Sequence, residues 1–130
     1  MERRFNDKDR INKRGGKMKY ERKLIATVGV DSGTLMIGDP CYALRFKQKD
    51  YDAMSEELCK PECEHSYAKP LTNNKDIDER VTFTTGFGDG VYEVYQTTAD
   101  FGEAGKRVTK VEIILITDEE IAEWQEEAEQ

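Results

Sequence analysis

Hydrophobic and polar residues alternate along several short stretches of this chain. Apolar side chains recur at every second position from Leu24 to Val30, and a similar period returns in residues 81–87 and 91–97. A period of two places alternate side chains on opposite faces of a β-strand. With residues 34–37 and 107–116, these stretches predict five strands. Short strands joined by glycine turns are typical of a curled antiparallel sheet or a partly open barrel.

The end of the chain has helical spacing instead. Thr117 and Glu120 match a capping box, and Ile121, Trp124 and Ala128 then form one apolar stripe. This pattern predicts a C-terminal amphipathic helix. We expect the helix to pack on the sheet through Ile121 and Trp124. Its outer face is acidic, which indicates either a solvated surface or a docking surface for a basic partner.

A short central helix is predicted near Asp50, which can cap it. Its apolar side is formed by Tyr51, Met54 and Leu58. Residues 60–80 follow as a long excursion, because prolines, lysines and asparagines interrupt any periodicity there. A stretch of this length is commonly functional or mobile. The predicted fold is therefore a single α+β domain over residues 22–130, mainly antiparallel.

Charge divides the chain into two parts. The net charge is −7, yet residues 1–23 carry ten Lys and Arg against four acids, which leaves −13 for the remainder. The acidic folded body would repel the phosphates of a polynucleotide, so we exclude nucleic acid as its partner. Residues 1–21 are predicted to be a disordered basic arm. A solvated tail is favoured over a nucleic-acid-capturing one.

The arm also permits a hypothesis about the start of translation. Arg14-Gly15-Gly16-Lys17 can be encoded by a purine-rich stretch of ribosome-binding type, directly before Met18. Translation would then begin at Met18, with the preceding residues an upstream read-through. Mass spectrometry of the protein from its native host tests this start site.

Apolar runs of membrane-spanning length are missing from the sequence, as is an apolar signal region followed by small residues. We expect a cytoplasmic protein that does not bind membranes. If the protein is phage-encoded, the compartment is the host cytoplasm. Assembly into a homo-oligomer stays open.

Three cysteines, an odd number, favour reduced thiols or a metal site over a disulfide framework. Cys59, Cys63 and His65 lie within seven residues and suit zinc, with Cys41 as a fourth candidate ligand. Their spacing differs from the usual zinc-knuckle pairing. The leading prediction is therefore no cofactor, with zinc at these three residues as the alternative.

Aspartates occupy two glycine turns, Asp31-Ser32-Gly33 and Gly88-Asp89-Gly90. With Asp39 they could hold a cation in a metal-dependent hydrolase. Asp and Gly are also the ordinary turn formers, so structural turns are the favoured interpretation. We predict that the two turns lie near one another or line a common cleft, with Tyr42, Tyr92 and Arg45 nearby.

Small-ligand pockets combine aromatic walls with a few convergent polar groups. No catalytic residue is predicted, since no known nucleotide-loop or nucleophile motif is present. Basic side chains near the turns and the excursion would attract an anion: Arg45, Lys47, Lys49, Lys69, Arg80, Lys106, Arg107 and Lys110. The predicted ligand-binding residues are Asp31, Ser32, Thr34, Tyr42, Arg45, Asp89 and Tyr92.

Two segments, Val28–Tyr42 and Thr85–Tyr95, resemble the signature segments of an uncharacterised small-protein family from Gram-positive bacteria and their tailed phages. The family pattern runs from valine-aspartate-serine-glycine to aspartate-proline-cysteine-tyrosine, followed later by glycine-aspartate-glycine-x-tyrosine-proline-valine-tyrosine. This chain has Glu93 where proline is usual. The resemblance implies a phage-like context, in which small acidic proteins often blunt host defences.

Three functions follow from these observations. The leading prediction is a non-enzymatic protein that binds a small anionic, nucleotide-like ligand and so sequesters a host defence signal. One alternative is a protein–protein inhibitor that acts on a host protein through its acidic face. The other is a metal-dependent hydrolase that uses the turn aspartates.

Overall fold

The computed structural model describes residues 18–129. Its order of elements confirms the α+β class. Two short 3-10 turns, Pro61–Cys63 and Gly102–Ala104, lie outside the regular elements. The helices and strands are β1 (Tyr20–Val30), β2 (Thr34–Gly38), α1 (Pro40–Ala43), α2 (Gln48–Leu58), β3 (Ser66–Pro70), β4 (Asp78–Thr84), β5 (Gly90–Asp100), β6 (Lys106–Ile114) and α3 (Asp118–Ala128).

The strands form two antiparallel sheets of three strands, and neither sheet closes into a barrel. Their orders are β1-β5-β6 and β2-β4-β3. The predicted strands therefore do not share one sheet. The Gly88-Asp89-Gly90 turn between residues 81–87 and 91–97 predicts a hairpin of these two strands. This prediction is also wrong, because β4 already pairs with β2 on one side and β3 on the other. The Gly88-Asp89-Gly90 turn leads from one sheet to the other.

The chain forms two compact units. One contains residues 18–28 and 92–114, and the other contains residues 29–91 and 115–129.

In the β2-β4-β3 sheet, the middle strand carries the buried residues. Arg80 and Thr82 lie two positions apart in β4 and are 8% and 2% exposed. Alternation places both on the same face. Helix α2 contacts β3, and α1 contacts β4. The sheet thus acquires the second layer that a folded unit needs.

Helix α2 confirms the predicted central helix. Asp50 stabilises its start as the third helical residue, because its Oδ2 accepts from the Lys47 backbone N–H at 2.9 Å. Met54 is 4% exposed and is the buried residue of the helix. Tyr51 and Leu58 are half-buried. The predicted apolar side of this helix is thus the side that is withdrawn from solvent.

In the β1-β5-β6 sheet, polar contacts define one face. Arg22 donates to Glu112 at 3.0 Å, and its guanidinium lies 3.9 Å from the centroid of the Tyr95 ring. The buried residues of this sheet are Val30, Tyr92, Thr97 and Ala99. Large apolar side chains remain in contact with solvent, namely Leu24, Ile25, Val108 and Val111.

Helix α3 begins as its sequence predicts. Thr117 Oγ1 accepts from the Glu120 backbone N–H at 3.1 Å, and Glu120 Oε1 accepts from the Thr117 N–H at 3.1 Å. However, Ile121 and Trp124 are 45% and 60% exposed, and no residue of α3 is buried. The predicted packing through these side chains is wrong. The stripe is narrow, and the carboxylates around it favour hydration.

The excursion of residues 60–80 contains a strand that the periodicity did not predict. Strand β3 pairs with β4, and the register shifts between Lys69 and Pro70. Proline lacks a backbone donor, so it is tolerated on an edge strand such as β3. The interrupted sequence therefore concealed an edge strand.

Most of the predicted basic arm, residues 1–17, lies outside the described residues. The hypothesis that translation starts at Met18 concerns the same residues and stays a prediction. Within the described part, β1 begins at Tyr20. None of the helices between residues 18 and 129 is long and apolar enough to cross a membrane.

Candidate ligand-binding site

The two aspartate-glycine turns are neighbours, as predicted. The Thr85 backbone N–H donates to the Gly33 carbonyl at 2.9 Å, directly beyond the pairing of Thr34 with Thr84. A Cβ added to Gly33 would lie 3.7 Å from Asp89 Oδ1. The end of the β2–β4 ladder thus brings the turns together.

Hydrogen bonds within these turns engage the hydroxyl groups. Ser32 Oγ and Thr34 Oγ1 are 2.8 Å apart, and Thr85 Oγ1 donates to the Gly88 carbonyl at 2.8 Å. Asp31 and Asp89 are exposed. These contacts give the turns a structural explanation, and the ligand-binding role of Asp31, Ser32, Thr34 and Asp89 remains a prediction.

Gly86 fixes the approach to the second turn. Its φ is +39°, a left-handed conformation that favours glycine. A Cβ at this position would collide with the carbonyl oxygen of Leu115. Glycine is therefore required here for close backbone packing as well as for conformation.

Asp39 lies at the opposite end of β2 from Asp31. Its Oδ1 accepts from the Cys41 backbone N–H at 2.8 Å, and it caps α1 with Pro40 in the first helical turn. Its carboxylate thus stabilises the start of α1. Asp31, Asp39 and Asp89 do not form one cluster in the described chain.

A cavity of about 490 Å³ lies elsewhere in the same unit. Tyr42 and Arg45 line it and the residues of the two turns do not, so it is not the predicted cleft shared with the turns. It is formed by α1 and the residues after it, the first turn of α2, strands β3 and β4, and the β3–β4 loop. The lining residues are Tyr42, Arg45, Asp50, Lys69, Leu71, Thr72, Asn73, Asn74, Glu79 and Arg80.

A buried ion-pair network forms one wall of this cavity. Glu79 Oε1 accepts from Lys69 Nζ at 2.7 Å, and Glu79 Oε2 accepts from Arg80 at 2.9 Å. The side chains of Arg80 and Glu79 are only 7% and 11% exposed. Arg80 also lies over the Phe46 ring, 5.0 Å from its centroid. The cavity wall therefore carries paired charges.

Electrostatics keep Glu79 ionised. The hydrogen bond from Lys69 lowers the pKa of Glu79, and burial opposes that shift. The positive charges of Lys69 and Arg80 lower the pKa further. One carboxylate thus neutralises one of its two cationic neighbours, and the network has a net charge of about +1 at neutral pH.

The other walls are held by local bonds. Asp50, the third residue of α2, accepts from the Lys47 backbone N–H, as described above. Asn74 Oδ1 accepts from the Asp76 backbone N–H at 3.0 Å, and the Leu71 N–H donates to the Ile77 carbonyl at 2.9 Å. These bonds close the loop that places Thr72 and Asn73 in the lining.

Arg45 and Tyr42 are the predicted ligand-binding residues that line the cavity. The Arg45 backbone N–H donates to the Tyr42 carbonyl at 3.0 Å, so one tight turn positions both residues. Both side chains are exposed. Within residues 18–129, the Arg45 guanidinium has neither an ion-pair nor a hydrogen-bond partner. It is the cation of the cavity that a ligand can engage.

Tyr92 is only 9% exposed, so its ring belongs to the interior of β5. Sequence reasoning included Lys69 and Arg80 among the available basic residues but missed Glu79. Lys69 and Arg80 are register partners between β3 and β4. If β3 had been predicted to pair with β4, Lys69 would have been expected to lie beside Arg80 and Glu79.

The predicted zinc ligands are not gathered into a site. Cys59 is exposed, and Cys63 Sγ donates to the Leu58 carbonyl at 3.0 Å. His65 has a left-handed backbone, with φ of 72°. No group of three His, Cys, Asp or Glu side chains in residues 18–129 could hold a metal ion. The geometry gives the zinc prediction no support.

No protein-family model matches this chain, and no curated protein or solved structure is significantly similar to it.

Proposed function

We propose that this chain binds a small anionic ligand in the cavity beside Arg45 and releases it chemically unchanged. The observation that carries the proposal is the convergence of Arg45, Lys69 and Arg80 on a space of about 490 Å³. Cavities of roughly 300–1,000 Å³ are the usual size for small-molecule sites.

The charges of the lining favour an anion over a cation. Glu79 is engaged by two cations, and Asp50 is engaged by the backbone of Lys47. Arg45 is left to contribute its charge to a ligand. Arginine presents several N–H donors in a fixed fork, which suits a phosphate or a carboxylate.

A planar group would complete the ligand. The Tyr42 ring offers an aromatic surface, while Thr72, Asn73 and Asn74 offer hydrogen-bonding groups around the rim. A nucleotide combines an anionic phosphate with a planar base that donates and accepts hydrogen bonds. This combination supports a nucleotide-like ligand.

Binding without turnover is supported by the state of the carboxylates. The lowered pKa of Glu79 makes it a poor general acid or base near neutral pH. Its oxygens also accept bonds from Lys69 and Arg80. A metal-dependent hydrolase using the turn aspartates is less well supported, since Asp39 caps α1 at the far end of β2.

The biological role proposed here is the sequestration of a nucleotide signal of host defence by a phage protein in the host cytoplasm. Its support is the resemblance of residues 28–42 and 85–95 to a family shared by Gram-positive bacteria and tailed phages. A sequestering protein needs affinity and abundance but no catalytic group.

A ligand panel tests the function. Cyclic mono- and dinucleotides would be titrated into the full chain by calorimetry, and bound ligand would be recovered after heat denaturation and analysed by chromatography. We expect one class to bind and to be recovered intact. Degraded ligand would indicate an enzyme, and the absence of binding across the panel would contradict the proposal.

Matched variants locate the binding site. Arg45→Gln should weaken binding by at least about tenfold, as expected for the loss of a charged hydrogen bond. Lys47→Gln removes the same charge two residues away, outside the cavity lining. It should leave affinity within about twofold. Equal losses in both variants would show a diffuse charge effect instead.

A second function is favoured by α3. Exposed Trp124 and Ile121 lie on a helix with seven acids and no base among residues 117–130. Exposed aromatic anchors among like charges fit a complementary basic groove, as in helix-in-groove recognition. We propose inhibition of a basic host protein through this helix as the alternative to ligand sequestration.

Affinity capture from host lysate tests the alternative. Wild-type chain should retain a basic protein that Trp124→Ala fails to retain. Arg45→Gln should retain it unchanged, because Arg45 lines the cavity instead. If the Trp124 and Arg45 variants capture the same proteins as wild type, inhibition through α3 is excluded.

A further inference from the structure

The cavity contains charges of both signs, and their numbers bear on the ligand that it can hold. Its cations are Arg45, Lys69 and Arg80, and its carboxylates are Asp50 and Glu79. Side chains of these types are ordinarily ionised at neutral pH. Three positive and two negative charges leave the lining with a formal charge of about +1.

Asp50 is a carboxylate that no cation in residues 18–129 neutralises. Its Oδ2 accepts from the uncharged Lys47 backbone N–H at 2.9 Å, and Asp50 takes part in none of the ion pairs of the described chain. The residue is half-buried in the first turn of α2. The hydrogen bond thus fixes the position of the carboxylate and leaves its negative charge at the cavity.

Glu79 lies close enough to Asp50 for the two carboxylates to repel one another. The hydrogen bond from Lys69 is the main cause of the lowered pKa of Glu79, and the negative charge of Asp50 opposes that shift. Repulsion of this kind requires the two groups to be near one another. A further negative charge brought to this part of the wall would therefore meet both carboxylates.

The three cations differ in their availability to a ligand. Arg80 and Lys69 both donate to Glu79, and the side chain of Arg80 is only 7% exposed. Asp50 offsets the positive charge that remains on this network. The charge left for a ligand is that of Arg45, which is exposed. A second negative charge in the cavity would have no partner of its own, and burial of an unpaired charge is costly.

From this arrangement we infer that Asp50 is a specificity-determining residue, and that the cavity selects a ligand with a single negative charge. The inference rests on the proposed function and narrows its ligand to a cyclic mononucleotide, because a phosphodiester carries one negative charge. A terminal phosphate carries about 1.5 to 2 negative charges at neutral pH, since its second pKa is about 6. Its additional charge would face Asp50 and Glu79.

Matched nucleotides test this selectivity in the wild-type chain. Cyclic AMP and AMP share their base and sugar, as do cyclic GMP and GMP. Calorimetric titration near pH 7.5 should show that at least one cyclic form binds at least about tenfold more tightly than its monoester. Equal affinities within a pair that binds, or tighter binding of the monoester, overturn the inference and leave the proposed function standing.

Cyclic dinucleotides, which carry two phosphodiesters, separate the two proposals further. If a cyclic dinucleotide binds more tightly than both cyclic mononucleotides, selection for a single charge is wrong, although the chain still binds a nucleotide. If none of these compounds binds, the inference and the proposed function are both overturned.

A change of pH distinguishes the charge of the ligand from its shape. Between about pH 7.5 and about pH 5.5 most of a monoester becomes singly charged. The cavity is lined by Arg, Lys, Tyr, Asp and Glu, whose ordinary pKa values lie outside this interval. The affinity for the monoester should rise about tenfold at the lower pH, while that for its cyclic partner stays within about twofold. A monoester that gains nothing relative to its cyclic partner overturns the inference.

Asp50→Asn tests the residue itself. The amide retains an oxygen that can accept from the Lys47 N–H, so the contact at the start of α2 is kept. The formal charge of the lining rises to about +2. The monoester should then bind at least about tenfold more tightly than it binds wild type. An unchanged preference for the cyclic form overturns the assignment of Asp50.

Asp52→Asn is the matched control on the same helix. Asp52 is exposed and lies outside the cavity lining, and its Oδ1 accepts from Gln48 Nε2 at 3.0 Å. This variant loses the same charge and should keep both affinities within about twofold of wild type. Equal changes in the two variants would show that the net charge of the chain governs selectivity, which overturns the inference.

Circular dichroism checks that the variants keep their helix content. If Asp50→Asn does not fold, Asp50→Ser takes its place, because serine is also neutral and its hydroxyl can accept from a backbone N–H. A folded Asp50→Ser chain that still prefers the cyclic form as strongly as wild type does overturns the inference in the same way.

Discussion

The two three-stranded sheets are buried alike at their centres, but by different residues. In β2-β4-β3, the central strand holds Arg80 and Thr82 at 8% and 2% exposure, and helices contact the sheet. In β1-β5-β6, the central strand holds Thr97 and Ala99 at 3% and 2% exposure. Edge strands of both sheets expose apolar side chains, since Ile37 in β2 and Val111 in β6 are each 56% exposed. Alternation of apolar residues therefore identifies a strand, but it does not decide whether that strand is central and buried or lies at an exposed edge.

The β2-β4-β3 sheet is the more polar of the two at its centre. Its buried residues include an arginine and a threonine, and the arginine is paired with Glu79. Its stability must depend on satisfied charges as well as on apolar area. The cavity lies against this charged wall, so the ligand site and the stability of this unit share residues.

The largest expected effect concerns apolar burial. Met54→Ala should lower the free energy of unfolding by about 3 kcal/mol, because it leaves a cavity at a side chain that is 4% exposed. Leu24→Ala in the edge strand β1 should cost less than about 1 kcal/mol at 48% exposure. Urea denaturation followed by circular dichroism measures both. Equal losses would mean that Leu24 is packed as tightly as Met54.

Ion pairs provide the second comparison. Glu79→Gln should cost about 2 kcal/mol, because it leaves Arg80 buried without its carboxylate. Glu112→Gln removes an exposed pair with Arg22, whose side chain is 46% exposed, and should cost less than about 1 kcal/mol. The same urea assay measures both variants. A larger loss for Glu112→Gln would reverse the comparison.

The pH dependence of stability sharpens this difference. The pKa of folded Glu79 lies below its ordinary value of 4.5, mainly because Lys69 donates a hydrogen bond to it. The unfolded chain therefore takes up a proton first as the pH falls. The stabilisation is complete above pH 4.5 and is lost as the pH drops through the folded pKa.

The Glu79→Gln chain should lose less stability than wild type between about pH 6 and about pH 3. Urea midpoints at the two pH values measure the loss. If the free energy of unfolding falls equally with pH in Glu79→Gln and in wild type, Glu79 does not contribute to the loss of stability in acid.

The smallest effect is expected in α3, which has no buried residue. Trp124→Ala should change the free energy of unfolding by less than about 1 kcal/mol, because the ring is 60% exposed. Trp124 is the single tryptophan of the chain, so its fluorescence should hardly shift when urea unfolds wild type. A loss near 3 kcal/mol would show that the helix is docked.

Local sequence signals predicted much of the fold because they depend on neighbouring residues. The Thr117–Glu120 capping box and the strand alternation in β1 both recur in the structure. Asp50 also stabilises the start of α2, although as its third residue and not as the predicted cap. Strand β3 was missed because its five residues end in proline and lack an apolar run. The error was in an edge strand, where tertiary pairing outweighs propensity.

The candidate site was only partly predictable for the same reason. Tyr42 and Arg45 could be named, since both belong to the turn that follows Asp39. Their convergence with Lys69 and Glu79 requires the pairing of β3 with β4. Lys69 and Glu79 are ten residues apart in the sequence, and that spacing does not predict the 2.7 Å contact between Lys69 Nζ and Glu79 Oε1.

By itself, the sequence determined most strands, the capping box of α3, the glycine turns and the uneven distribution of charge. Each of these depends only on residues that are close together along the chain. Tertiary structure decided which strands share a sheet, that α3 leaves Trp124 in solvent, and that three cations face one cavity. Those outcomes depend on competition among distant partners for the same surfaces, and the pattern along a single chain does not encode which partner wins.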